Sequence, residues 1–323
     1  MNLFGNLFGH LFEPLEPRRL FAAGIPRFDH VVVVIEENNS YEQIVSNPEA
    51  PYLNHLRARG ASFTHIRGET HPSQPNYLYL FSGDNQGITD NTPPTQKIDA
   101  ENLGGDLFAA GLKFKGFSQS LPIDGFEGNV SGAYERKHNP WVNFSDVPSG
   151  SNLRFERFPQ DSNGYKKLPT ISFVVPDEDH NMHDGPISTA DTWIRDNVLD
   201  YANWAVKHNS LLIITWDESD DQFGNRIPTF FIGANVAPGR YHNSLNHLNV
   251  LRTLQDMYDL PPTGASAKAK PITDIWLNQP VVPRGMSRAM SQGMSPGFPR
   301  AGTTLPSDSS TQRDANAILE LSL

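Results

Sequence analysis

The stretch HVVVVIEENNSY, which runs from His30 to Tyr41, decides the fold of this chain. Its first part, His30 to Ile35, is a continuous run rich in β-branched residues. Such a run is typical of a strand that is buried on both faces of a parallel sheet. Glu37 and Asn38 follow directly, and ligands of open α/β sheets bind beyond the carboxyl ends of the strands, so these two are candidate metal ligands. Capping of the next helix is the alternative role for them.

The same arrangement recurs at two later strands. The run TISFVV (170–175) leads into PDEDHNMHDGP (176–186), and SLLIITW (210–216) leads into Asp217 and Glu218. The segment 176–186 combines acidic residues with two histidines, which a solvated charged loop does not explain, so it indicates a metal or anion site. Because strand ends of a parallel sheet share one rim, we expect these clusters to converge.

Ser73 lies in the stretch HPSQPNY (71–77), between a predicted strand over 62–67 and a predicted helix that ends near Gly83. Pro75 suits the first turn of that helix, because no amide donor is needed there. Free backbone amides and the helix dipole attract an anion at a helix N-terminus. The Ser73 hydroxyl is therefore a candidate nucleophile toward a phosphoryl group, and an N-cap role is the alternative.

Strands alternate with helices along the chain, which predicts an α/β fold with a mostly parallel central sheet and helices on both faces. The other expected elements are strands over 113–119 and 228–233 and helices over 51–60, 99–111, 188–208 and 246–259. Residues 120–165 are rich in Gly, Pro, Asn and Ser, and we interpret them as a long, partly ordered insertion on the substrate side. His247 lies at the start of the last helix, where a purely structural role is the alternative to a functional one.

Composition excludes several classes of function. The 323 residues carry a net charge of −10, which argues against general binding of nucleic-acid phosphates and is compatible with metal binding. The chain has no cysteine, so disulfides, zinc–thiolate sites and cysteine nucleophiles are excluded. No apolar run approaches the roughly 18 residues of a membrane span. We therefore expect no nucleic-acid partner and no transmembrane segment, and we also expect a monomer.

Three segments are predicted: an N-terminal sorting segment over 1–24, a catalytic domain over 25–280 and a disordered tail over 281–323. The tail is rich in Ser, Met, Gly and Pro. The run LEPRRLFAA (15–23) resembles the short sorting signal near the N-terminus of many exported planctomycete proteins. This resemblance implies a secreted or cell-surface protein.

The motifs occur in an order that resembles the bacterial phosphoesterase family of acid phosphatases and phosphocholine-specific phospholipases C, within the alkaline phosphatase-like superfamily. The resemblance is strongest to short secreted acid phosphatases of the phosphatidylinositol-3-phosphatase type. The matching motifs are ENNSY (37–41), HPSQPNY with SGDNQGI (71–88), PDEDHNMHD (176–184), WDE (216–218) and NHLNVLRT (246–253). The turn SQPN also resembles the T-x-P-N nucleophile turn of nucleotide pyrophosphatases.

The resemblance implies metal-dependent hydrolysis of phosphate monoesters through a phosphoserine intermediate, with a small monoester or a phosphoinositide as substrate. It implies a divalent metal held by Glu37, Asn38, Asp217, Glu218 and the Ser73 oxygen. Oxygen ligands suit Mg, Ca or Mn, and histidine allows Zn or Fe. A second metal is a further possibility, with Asp177, Asp179, His183 and His247 as its ligands.

His183 or His247 would otherwise protonate the leaving group, while Asn76 and His71 would bind phosphate. The sequence departs from the family pattern at Glu218, where some relatives carry Asp, and at Asn181, where many do. Two alternatives stay open: a phosphodiesterase of the phospholipase C type, and a non-catalytic surface protein with the same fold.

Overall fold

The computed structural model describes residues 24–220 and 223–277. The sorting segment predicted for 1–24, apart from Gly24, and the tail predicted for 281–323 lie outside these residues. Eleven strands are described: β1 (His30–Glu36), β2 (Ala61–Arg67), β3 (Phe114–Ser118), β4 (Val130–Ser131), β5 (Tyr134–Glu135), β6 (Asn152–Arg154), β7 (Ile171–Val175), β8 (Ser210–Trp216), β9 (Arg226–Gly233), β10 (Gly239–Tyr241) and β11 (Leu245–Asn246).

Nine of these strands form one sheet in the order β10-β2-β9-β8-β1-β7-β3-β6, with β11 paired to β2. Among the described strands of this sheet, β9 alone runs antiparallel to its neighbours. The valines of β1 (31–34) are fully buried at the centre, between β7 and β8, as their β-branched run predicts. The prediction of a mostly parallel central sheet is confirmed.

Eight α-helices accompany the sheet within the described residues. They are α1 (Tyr41–Ile44), α2 (Pro51–Arg59), α3 (Ser73–Ser82), α4 (Leu103–Ala109), α5 (Ser162–Tyr165), α6 (Ile187–Asn197), α7 (Leu199–Ala205) and α8 (His247–Met257). Helices α2, α6 and α7 pack together, and α3 packs against α4 and α8.

Two neighbouring glutamates show that these helix groups cover opposite faces of the sheet. Side chains alternate along a strand, so Glu36 and Glu37 point to opposite sides. The charge of Asp191 on α6 acts on Glu36, whereas the hydroxyl of Tyr77 on α3 donates a hydrogen bond to Glu37. Helices on both faces, as predicted, are therefore confirmed.

Three sequence predictions about helices need correction. The helix expected over 99–111 begins later, because the Asn102 side chain accepts the cap hydrogen bond from the Gly105 amide and Asp99 does not. The single helix expected over 188–208 is interrupted at Val198, whose φ of −124° and ψ of −29° separate α6 from α7. Ser73 is not an N-cap, because Pro72 occupies that position and Ser73 is the first residue of α3.

Residues 120–165 are built from short elements rather than from a partly ordered loop. They include the β4–β5 hairpin, several 3₁₀ turns and α5. Strand β6 of this segment extends the central sheet by pairing in parallel with β3. A 3₁₀ turn over Arg136–His138 packs against α3, so this segment reaches the centre of the molecule.

Helix α3 is itself part of the core, because nine of its ten residues are buried. It ends at Gly83, whose φ of +75° gives the left-handed C-cap that glycine adopts without strain. Among the helices of the described residues, none combines the length and apolar character that a membrane crossing requires.

Candidate active site

The carboxyl ends of β1 and β8 bring three predicted residues together. The two strands pair in parallel up to Glu36 and Trp216, and the Asp217 amide continues the ladder by donating to the Glu36 carbonyl at 3.0 Å. Glu37, Asp217 and Glu218 therefore leave the sheet side by side. The shared rim that the sequence predicted is present at these two strands.

Ser73 enters the same rim from the first turn of α3. Its hydroxyl oxygen lies 3.0 Å from Glu37 Oε2 and 3.1 Å from Glu218 Oε1, and the residue is 1% exposed. A hydroxyl has one hydrogen to donate, so it bonds one of these carboxylates at a time. The other carboxylate faces an oxygen lone pair, which is unfavourable unless a proton or a cation intervenes.

The acidic groups on this rim are buried, which disfavours their charged forms. Burial, and then the charge of Asp217, raises the pKa of Glu37 well above its usual range. Burial also raises the pKa of Asp217 to about 6. Asp217 Oδ2 has no hydrogen-bond partner among the described residues, while Asp217 Oδ1 accepts from the Asn38 amide at 3.3 Å.

These features fit a hard divalent cation. Clustered buried carboxylates are stabilised by a nearby positive charge, and an unpartnered carboxylate oxygen is a ready ligand atom. The residues of the predicted set, Glu37, Asn38, Ser73, Asp217 and Glu218, all lie on this rim and offer oxygen donors. Glu37 and Glu218 contact the Ser73 hydroxyl, but Glu37, Asp217 and Glu218 do not bring three carboxylate oxygens within 4.8 Å of one another in the described structure, so this metal set stays a prediction.

The predicted phosphate-binding residues lie beside Glu218. The Asn76 side chain shapes the turn that precedes α3, because its oxygen accepts from the Glu69 and Thr70 amides at 3.0 Å. Its nitrogen lies 3.2 Å from Glu218 Oε2. His71 Nδ1 lies 2.8 Å from the same oxygen, and the His71 side chain is 37% exposed. His71 thus faces solvent at the rim, whereas Asn76 braces the carboxylate from within.

The helix terminus offers fewer amides to an anion than the sequence suggested. The Gln74 amide donates to Asn91 Oδ1 at 3.0 Å, and Pro75 has no amide hydrogen. At most the Ser73 amide remains among the first three positions of α3.

A second cluster follows β7 and centres on Glu178. His183 Nδ1 lies 3.0 Å from Glu178 Oε2 and 2.8 Å from Asp184 Oδ1. Hydrogen bonding to Glu178 raises the pKa of His183 to about 9. Burial opposes ionisation of Glu178, but hydrogen bonds from His138 and His183 outweigh it and hold its pKa below its usual range. His183 also lines a cleft of about 400 Å³ with Lys137.

The structure does not assemble the predicted second metal set. Asp177 is engaged by the Ser120 hydroxyl and by His180, each at 2.6 Å. Within residues 24–220 and 223–277, the one group of three His, Asp or Glu ligand atoms that lie within 4.8 Å of one another is Glu178, His183 and Asp184. Asp177, Asp179 and His247 are therefore not brought together with His183.

His247 is fully enclosed behind the rim. Its Nε2 lies 2.8 Å from the Trp216 carbonyl, and its Nδ1 lies 3.3 Å from Glu69 Oε2. Interaction with Glu69 outweighs burial and raises the pKa of His247. Through its Nε2, His247 is placed to hold the end of β8 beside Asp217. Of the two histidines, His183 is the more exposed, with 26% of its side chain accessible against 0% for His247.

Sequence reasoning missed His138 and gave no role to Tyr77. His138 lies between Glu37 and Glu178, and the Tyr77 hydroxyl bonds Glu37 Oε1. His138 follows no buried strand, so the strand-end pattern could not identify it. The one available signal was a histidine within a segment otherwise rich in Gly, Pro, Asn and Ser.

Comparison with known proteins adds independent information. The model of the Phosphoesterase family matches residues 45–261. A phosphatidylinositol-3-phosphatase of Mycobacterium tuberculosis is 49% identical over 257 residues, which cover 80% of this chain and 86% of the relative. A probable acid phosphatase of Kluyveromyces lactis is 25% identical over 256 residues, and the match covers 73% of this chain but only 60% of that relative's length.

Among solved structures, the fold resembles a protein of the alkaline phosphatase superfamily from Vibrio parahaemolyticus. The TM-score is 0.53 at 12% identity, and the match covers 76% of this chain and 69% of the other. At this identity the likeness concerns the fold alone, which is alkaline phosphatase-like.

Proposed function

The chain belongs to the Phosphoesterase family and is a phosphoric ester hydrolase, and from this premise we propose that it removes phosphate from monoesters through Ser73. One observation carries the proposal. The Ser73 hydroxyl, at the first residue of α3, lies within hydrogen-bonding distance of the buried carboxylates Glu37 and Glu218. A helix cap does not need these two acids, whereas a nucleophile that must lose a proton does.

In the first step the Ser73 oxygen attacks phosphorus, and its proton passes to the adjacent Glu37 or Glu218 carboxylate. The bond from phosphorus to the leaving oxygen breaks, and His183, protonated at neutral pH, gives its proton to the departing alkoxide. The product is a phosphoserine. In the second step water attacks that phosphorus and gives a proton to the neutral His183. The bond from phosphorus to the Ser73 oxygen breaks, inorganic phosphate leaves, and Ser73 recovers its proton from the Glu37 or Glu218 carboxyl.

Glu37, Asn38, Asp217, Glu218 and the Ser73 oxygen would hold a divalent cation. When bound, it would offset the repulsion between an anionic ester and these carboxylates and favour the ionised hydroxyl. Asn76 keeps Glu218 in place, and His71 offers a polar ring at the rim to the phosphoryl oxygens.

The decisive experiment compares Ser73→Ala with Ser82→Ala. Both serines are buried on α3, but the Ser82 hydroxyl donates to the Leu78 carbonyl at the far end of the helix. We expect Ser73→Ala to lose about 10³-fold or more of the turnover of p-nitrophenyl phosphate, as for other nucleophile deletions, while Ser82→Ala stays active. An acid-quenched reaction should trap phosphate on the wild-type chain but not on Ser73→Ala. Near wild-type turnover by Ser73→Ala would contradict the assignment of Ser73 as the nucleophile.

Metal binding can be tested by elemental analysis and thermal unfolding, without measuring activity. Purified protein should contain a divalent ion by elemental analysis, and EDTA should lower the melting temperature of the wild type. Glu37→Gln should weaken both effects, because it removes a buried ligand charge. A melting temperature that EDTA leaves unchanged, in protein without bound metal, would contradict the metal assignment.

The substrate proposal is narrower. Because a relative at 49% identity is a phosphatidylinositol-3-phosphatase, we include phosphatidylinositol 3-phosphate among the substrates. Release of phosphate should be compared among this lipid, p-nitrophenyl phosphate and bis(p-nitrophenyl) phosphate. Faster cleavage of the diester would favour a phospholipase C-type enzyme, and no cleavage of any ester would favour a non-catalytic protein.

Export is proposed from the residues 15–23 alone, and fractionation of expressing cells tests it.

A further inference from the structure

His138 lies between the rim that carries Ser73 and Glu37 and the second cluster, which contains Glu178 and His183. Its Nδ1 lies 2.8 Å from Glu178 Oε1, and its Nε2 lies 3.3 Å from Glu37 Oε1. The side chain is 1% exposed, and its ring stacks on Tyr77 with centroids 5.1 Å apart. A single imidazole ring thus spans the space between two buried carboxylates.

Glu37 and Glu178 are arranged alike: in each, one carboxylate oxygen lies near His138 and the other lies near Ser73 or His183. Glu37 presents Oε1 to His138 and Oε2 to the Ser73 hydroxyl at 3.0 Å. Glu178 presents Oε1 to His138 and Oε2 to His183 at 3.0 Å. Each acid therefore has one oxygen facing His138 and the other directed at a residue of the proposed chemistry, and the Glu37 oxygen that faces His138 also accepts from the Tyr77 hydroxyl.

The segment around His138 holds this ring rigidly. Arg136 Nε donates to Asn143 Oδ1 at 2.9 Å, and Asn139 Nδ2 donates to the Glu135 carbonyl at 2.7 Å. The Ser118 hydroxyl, at the carboxyl end of β3, donates to Asn139 Oδ1 at 2.5 Å. The 3₁₀ turn that carries His138 is therefore tied to the central sheet on one side and packed on α3 on the other.

We propose that His138 is a positioning residue that orients Glu37 toward the nucleophile and Glu178 toward the proton donor, and so aligns the two halves of the reaction. This inference rests on the proposed function, because it takes Ser73 and His183 as the reacting groups. The segment 120–165 would then contribute one side chain, that of His138, to the site. His138 touches no reacting atom itself, and acts through the two glutamates.

Two substitutions separate its two contacts. In His138→Asn the amide occupies the region of Nδ1 and can keep the contact with Glu178. In His138→Gln the longer amide reaches the region of Nε2 and can keep the contact with Glu37. Both variants should lower kcat by about 10- to 100-fold with little change in KM, because a residue that only orients the reacting groups affects the chemical step rather than substrate binding.

Substrates with different leaving groups distinguish a defect at Ser73 from a defect at the proton donor His183. A p-nitrophenolate departs without protonation, whereas an alkoxide needs a proton donor. We expect His138→Gln, which releases Glu178 and so His183, to lose about tenfold more activity on an alkyl phosphate than on p-nitrophenyl phosphate. His138→Asn should lose activity equally on both substrates. The matched control is His180→Asn, since His180 lies in the same loop as Glu178 and His183 but contacts Asp177 and Gln119, and it should behave as wild type.

A double-mutant cycle with His183→Asn completes the test. Because His138→Gln is expected to act through Glu178 on His183, the double variant should be no slower on the alkyl phosphate than His183→Asn alone. Multiplicative losses, unchanged kcat in both His138 variants, or failure of both to fold would each overturn the inference. If instead the wild type and Ser73→Ala have equal activity on every ester, the proposed function itself fails.

Discussion

Replacement of Glu36 by Gln is expected to change the way that stability depends on pH. Glu36 is the last residue of β1, is fully buried, and has neither carboxylate oxygen hydrogen-bonded among the described residues. Burial, and then the negative charge of Asp191, raises the pKa of Glu36 well above its ordinary value of 4.5. The folded chain therefore holds the protonated acid at a pH where the unfolded chain has released the proton.

Proton linkage gives the direction and the magnitude of the change in the free energy of unfolding with pH. Stability falls with rising pH wherever the folded state binds more protons than the unfolded state, by about 1.4 kcal/mol per pH unit for one proton. Between about pH 5 and pH 7, Glu36 can therefore reduce the free energy of unfolding by at most about 2.7 kcal/mol. Glutamine resembles the protonated acid in shape and does not titrate, so Glu36→Gln should be progressively more stable than wild type as the pH rises.

The assay is urea unfolding of both proteins at several pH values between about 5 and 7, with EDTA present so that metal binding at the adjacent Glu37 does not enter the comparison. The exposed Glu49 provides the control, and Glu49→Gln should follow the wild-type curve. A difference between Glu36→Gln and wild type that is constant over this range would refute the reasoning. If the stability advantage of Glu36→Gln became smaller as the pH rises, the pKa of Glu36 would be lowered rather than raised by folding.

Gly116→Ala should destabilise the fold by about 3 kcal/mol or more in urea unfolding, because its Cβ would lie 2.0 Å from Trp141 Cε2; wild-type stability would show that β3 can shift. Asp106→Asn should stabilise the fold by about 1 kcal/mol at neutral pH, a value reduced for the partial exposure of this side chain. Burial raises the pKa of Asp106 to about 6, so wild-type stability should fall between about pH 4 and 6 and the variant should not follow it. Activity on an alkyl phosphate should decline as His183 loses its proton near its pKa of about 9, and His183→Gln should lack that decline; an identical decline in the variant would exclude His183 as the donor.

The sequence predicts the parts of the site that stand at the ends of buried strands. The apolar runs of β1, β7 and β8 are recognisable because strands covered on both faces need apolar side chains throughout. Glu37, Asp217 and Glu218 could be placed together from the sequence, because parallel strands end at a common edge.

Other features depend on contacts between distant residues, which no local pattern reveals. The site of His138 is set by Ser118, Asn139 and Arg136, whose partners lie on different elements. The start of α4 at Asn102 rather than Asp99 is of the same kind, because both residue types are good N-caps and packing decides between them. The prediction of a second metal set failed for a related reason, since Asp177 bonds Ser120 of the neighbouring segment.

The order of strands in the sheet also governs when this site can exist during folding. Ser73 bonds Glu37 and Glu218, which are 36 and 145 residues away in the chain. Closing loops of such length is slow, and contacts of high sequence separation form late. A chain that emerges from the ribosome with its N-terminus first has no complete constellation around Ser73 until Glu218 has been added and β8 has inserted beside β1. Catalytic competence should therefore appear as one of the last events of folding, after most of the helical signal has formed.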